Sequence, residues 1–96
     1  MNMQNLMAQA QKMQRDMQKK KEEIDNTLFT GNSEMVEVVF NGKKEMVSIK
    51  IKGEIASEDM EILEDMIVLA SKEATTKIDK EIEEKMGSLG GLGGLF

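Results

Sequence analysis

A helical stripe one residue wide is the feature that most restricts how this chain can fold. Over residues 1–24, Met3, Leu6, Ala10, Met13, Met17 and Ile24 recur at steps of three and four, with Lys20 in the one remaining step. Helical periodicity puts all of them on one side. Lys12, Arg15 and Lys19 fall on the opposite side. A seam this narrow cannot rest on a broad core, and it suits a coiled-coil-like contact with one other helix. The first helix is therefore expected to project and to need a partner along its length.

Composition points the same way. Ninety-six residues with 40% hydrophobic and 3% aromatic content make one small domain that buries a modest share of its surface alone, and oligomerisation is the natural remedy. The chain has no cysteine, histidine, tryptophan, tyrosine or proline. That removes the usual nucleophile–base pairs, soft metal ligands and disulfides, and with them most enzyme chemistry. Polar Asn and Gln at the N-terminus stand where a signal peptide has an apolar run, and no stretch approaches the roughly 18 apolar residues of a membrane span. The expectation is a soluble, cytoplasmic protein without membrane contact. A net charge of −5 argues against a general polyanion binder, but the charge is uneven. Residues 1–21 carry five basic side chains against one acidic, leaving eight against seventeen for the rest.

Turn-favouring Asn26, Thr27, Thr30 and Gly31 end the first helix between Asp25 and Thr30, with a short strand starting at Leu28. Met35–Asn41 and Glu45–Lys52 are rich in β-branched residues and read as strands. Asn41-Gly42 between them predicts a type I′ hairpin and antiparallel pairing. Val36, Val38 and Phe40 share one face, Val47, Ile49 and Ile51 form an apolar face on the other strand, and Met35, Val39 and Met46 make the reverse side partly apolar. One side is expected to meet helices and the other a second subunit. Ser57, followed by Glu58, Asp59 and Glu61, reads as the N-cap of a second helix running to about Met86. Its first half, Ile62–Ala70, is apolar around most of its circumference and predicts a buried position. Beyond it Ala74, Ile78, Ile82 and Met86 form a thin seam like that of the first helix. The division is thus one domain over residues 1–86 and a flexible, low-complexity Gly/Leu tail from 87 to 96.

The order helix, hairpin, long helix and Gly-Leu tail, with Met-Gln-Asn-Leu-Met-Ala-Gln-Ala-Gln-Lys-Met-Gln at residues 3–14, resembles the YbaB/EbfC family of bacterial nucleoid-associated proteins. The similarity extends to Thr30-Gly31, to residues 36–42 and 47–51, to Leu63-Glu64-Asp65, and to Lys85-Met86-Gly87. It implies an α+β homodimer whose central strands join the subunits, whose paired helices extend as arms, and whose ligand is double-stranded DNA. Asn32-Ser33-Glu34, where relatives commonly have a Gly-rich approach to the strand, and the acidic total charge are departures from the pattern.

The candidate DNA contacts are Lys12, Arg15 and Lys19, extended by Lys20 and Lys21, since helix-borne cations at three- and four-residue steps can follow a phosphate backbone. The competing interpretation is a solvated face on which Lys12–Asp16 and Lys19–Glu23 pair, at roughly 0.2–0.5 kcal/mol each. Lys72, Lys77, Lys80 and Lys85 are weaker candidates because acidic residues surround them. The five methionines of the first helix read as a packing seam rather than an adaptable binding surface. Glu22-Glu23, Glu58-Asp59 and Glu64-Asp65 do not converge, because adjacent helical residues diverge by about 100°. The tail's glycines lack the following helix a phosphate loop needs. The function expected is thus non-catalytic binding of duplex DNA without cofactor or metal, in the nucleoid, with a role in nucleoid organisation or gene regulation. The rival expectation is an interaction protein that grips an unidentified protein partner through its Met-rich arms.

Overall fold

The computed structural model describes residues 2–87, so the Gly/Leu tail expected at the C-terminus lies outside the described residues from Ser88 onward. Helix α1 spans Met3–Asp25, strands β1, β2 and β3 span Leu28–Ser33, Val36–Asn41 and Met46–Ile51, a 3-10 turn covers Ser57–Asp59, and helix α2 spans Met60–Met86. The strands form one antiparallel sheet in the order β1-β2-β3. The class is α+β, as the element order predicts, and the dimensions of 70 × 20 × 16 Å are those of an elongated subunit.

The core lies between one face of the sheet and α2. Phe29 pairs with Phe40, Gly31 with Val38, and Ser33 with Val36, so these side chains share a face, and Val36 and Val38 are fully buried on it. Burial of side chains this size contributes roughly 1.5–3 kcal/mol each. Ala70 and Ala74 press directly on β1: a Cβ on Gly31 would stand 1.9 Å from the Ala70 carbonyl oxygen and 2.8 Å from the Ala74 nitrogen. Small residues on both sides bring helix and strand backbones together. The Ser33 hydroxyl donates to the Met66 carbonyl at 2.6 Å, and Lys77 Nζ donates to the Thr30 carbonyl at 2.7 Å.

Several local expectations are corrected. The β2–β3 connection is not a two-residue type I′ turn. Asn41 N–H donates to Glu45 O and Lys44 N–H to Asn41 O, which makes a three-residue loop in which Lys44, at φ 64°, takes the left-handed position. Asn41 Oδ1 holds the loop by accepting from the Lys43 and Glu45 N–H groups at 2.9 and 3.1 Å. Gly42 serves close approach rather than a positive φ, as its contact with α1 shows below. Ser57 does not cap α2 but starts the 3-10 turn, and α2 begins three residues later at Met60 without a side-chain cap. The register shift between Val39 and Phe40 brings Met46 opposite Phe40, which puts Met46 on the helix-facing side instead of the reverse.

Burial along α2 also inverts the expectation. Within Ile62–Ala70, Ile62, Val68 and Leu69 are exposed, whereas Ala74, Ile78 and Met86 in the second half are buried. A single three-stranded sheet covers one side of a helix only, while the second half gains α1 as a neighbour. Strand β3 remains open on both faces: Ile49 and Ile51 pair with Val38 and Val36 and so share their side, yet they are 45% and 43% exposed. Helix α2 packs on β1 and β2, not over β3.

Candidate nucleic-acid interface

Helix α1 is tied at both ends by its own sequence. Asn2 caps the start, its Oδ1 accepting from the Gln4 N–H at 3.0 Å, as a side chain at this position does for an otherwise unpaired donor. At the other end the Asn26 amide donates to Glu22 O at 2.9 Å and the Thr27 hydroxyl to Glu23 O at 2.6 Å, satisfying carbonyls that the helix leaves unpaired. The β2–β3 loop seals the junction. Gly42 N–H donates to Asp25 O at 3.2 Å, and a Cβ at Gly42 would fall 1.9 Å from the Ile24 carbonyl oxygen. The helix thus leaves the sheet in a direction set by backbone contact.

Two sides of α1 then differ. Ile24 is buried and Met17 packs against the same core, which defines the inner side. Lys12, Arg15 and Lys19 lie about 160° round the helix from Met17 and Ile24, taken as a group, at 100° per residue, and all three are exposed. They span about 10 Å along the axis, comparable with about three base pairs of duplex. Neither Lys12–Asp16 nor Lys19–Glu23 closes; the ion pairs among the described residues are Lys21–Asp25, Lys44–Asp79 and Lys77–Glu73. The positive stripe is therefore not neutralised along its own helix.

The other two predicted cations separate from this group. Lys20 is exposed on the flank between stripe and seam. Lys21 turns to the inner side, half-buried, with its ammonium 3.1 Å from Asp25 Oδ2. On α2, Lys77 is spent on Thr30 and Glu73, and Asp79 pairs with Lys44 of the hairpin loop at 2.7 Å. Sequence reasoning overlooked Lys43, exposed in the loop that docks on the C-terminal end of α1; no periodicity connects it to the helix, and only the Gly42–Asp25 contact does.

The described residues hold no group of three or more acidic, histidine or cysteine side chains that could bind a metal ion. No described helix is long and apolar enough to cross a membrane. What the arrangement offers chemically is an array of fixed cations on a rigid rod, suited to phosphates at regular intervals.

Comparison with known proteins agrees with that geometry. Residues 1–94 match the YbaB/EbfC DNA-binding family. The chain is 44% identical over 90 residues to a nucleoid-associated protein of Lactococcus lactis subsp. lactis, covering 91% of each. It is 42% identical over 94 residues to one of Streptococcus suis, covering 95% of each, and 39% identical over 90 residues to one of Legionella pneumophila, covering 92% of this chain and 80% of the relative.

Proposed function

The chain belongs to the YbaB/EbfC DNA-binding family, and from that premise we propose that it is a non-catalytic nucleoid protein that binds duplex DNA as a homodimer through the outer face of α1. Lys12, Arg15 and Lys19 carry the contact, with Lys20 at its edge. The observation behind this choice is their position: exposed, unpaired with any carboxylate among the described residues, and opposite the side of α1 that packs on the protein. Phosphates supply most of the affinity of such a face, and duplex shape supplies any preference. Lys21, held by Asp25 on the inner side, contributes least.

The second copy covers β3. Met46, Val47, Ile49 and Ile51 are all exposed, together a row of apolar side chains on a strand whose outer edge has no partner among the described residues. An open edge of this kind invites pairing with another chain. A twofold partner there would place two α1 helices at a fixed separation, giving the duplex two basic faces to meet.

Fluorescence-polarisation binding to a labelled random duplex across a salt series tests the reading. Affinity should fall with salt at a log–log slope of about −0.9 per phosphate contacted. Absence of binding even at low salt would refute it and favour the protein-interaction role.

A further inference from the structure

Helix α1 outruns its neighbour. The inner stripe of Met17 and Ile24 continues through Met13, Ala10, Leu6 and Met3, but there it is bare: Met13 is 60% exposed, Leu6 45% and Met3 75%. From Met17 to Met3 this open stretch measures about 21 Å. Helix α2 gives out where it begins. Met86, about 24 Å along the helix axis from Ala70, lies past the sheet and is buried; α1 is the described element that reaches it. Gly87 then ends the helix at φ 55°, its N–H bonded to Glu83 O.

Residues 88–96 start from that point, with the sequence Ser-Leu-Gly-Gly-Leu-Gly-Gly-Leu-Phe. Nine extended residues reach about 30 Å, and Leu89 and Leu95 stand about 20 Å apart in extended chain, the length of the bare stripe. One leucine per three residues, separated by glycines without Cβ atoms, can lie close along a helix and present its apolar groups to it.

We propose that residues 88–96 are the occupant of the inner stripe of α1 in the same chain, running toward Met3, with Leu89, Leu92, Leu95 and Phe96 covering Met13, Ala10, Leu6 and Met3. Tethering makes the contact intramolecular, at an effective concentration in the millimolar range, so a weak apolar strip suffices. Because the strip lies opposite Lys12, Arg15 and Lys19, it supports the arm and leaves the basic face open. The inference is independent of DNA binding.

The test uses methionine methyl resonances of the full-length protein. A nitroxide is attached at Gly94→Cys, the one cysteine in the chain, and Met3 and Met7 report proximity from positions the tail reaches only if it runs along α1. The expected result is loss of most of the Met3 signal, restored on reducing the nitroxide. The same label in a chain with Leu89, Leu92 and Leu95 changed to Ser should leave Met3 sharp. No broadening in the first protein, or broadening that survives the serine changes, overturns the proposal. Mixing spin-labelled chains carrying no isotope with unlabelled isotopic chains separates the copies: broadening of Met3 in that mixture would assign the tail to a partner's helix and also overturn docking within one chain.

Discussion

Gly42 N–H donates to the carbonyl oxygen of Asp25 at 3.2 Å, and the space a Cβ would need at Gly42 is already filled by the carbonyl oxygen of Ile24 at 1.9 Å. A hairpin loop and a helix terminus, joined here through backbone, determine where the arm points. Gly31 against Ala70 is the matching contact on the other side of the core.

Gly42→Ala is expected to be strongly destabilising. The atoms in the way are backbone, so no side chain can swing aside, and overpacking of this kind costs about 1–3 kcal/mol. In a domain this small each kcal/mol lowers Tm by about 4–8 °C, so thermal melts at fixed protein concentration should show a clear drop. An unchanged melt would mean that loop and helix separate easily.

Replacing Lys12, Arg15 and Lys19 together by Ala should weaken duplex binding and make the salt slope shallower by about 0.9 for each phosphate that the protein no longer neutralises. Lys21→Ala should leave the slope alone, since that ammonium faces Asp25 on the inner side. Equal weakening in the two proteins would put the interface elsewhere on α1.

The β3 face makes a separate prediction. Ile49→Glu with Ile51→Glu places charges on side chains nearly half exposed in the subunit, so folding should survive. Sedimentation should shift from dimer to monomer, and an unaltered dimer would exclude β3 as the interface.

Met17→Glu and Met13→Glu should differ, although they lie one turn apart on the same stripe. Met17 packs against the core, so its change should cost on the order of 1–3 kcal/mol for an unpartnered polar group at a packed site. Met13 is 60% exposed beyond the reach of α2, and its change should leave the folding of the core intact. Urea denaturation midpoints of the two proteins decide the point.

The periodicities of this chain determined its elements. The stripe from Met3 to Ile24 produces α1, the alternation of Val36, Val38 and Phe40 produces a strand with one buried face, and the glycine after Met86 ends α2 where expected. The opposition of Lys12, Arg15 and Lys19 to the apolar seam was likewise legible, because the angle between helical positions depends only on their separation in sequence. Tertiary structure decided the rest. It took Lys21 out of the basic face by turning it toward Asp25, assigned the left-handed turn position to Lys44 instead of Gly42, and left Ile49, Ile51 and Val68 open while burying Ile78 and Met86. Those outcomes hinge on which segments remote in the chain come within a few ångströms of each other: β1 under Ala70, a hairpin loop against Ile24, α1 beside the end of α2. Local sequence encodes what a residue prefers, and only the packed fold specifies what it touches.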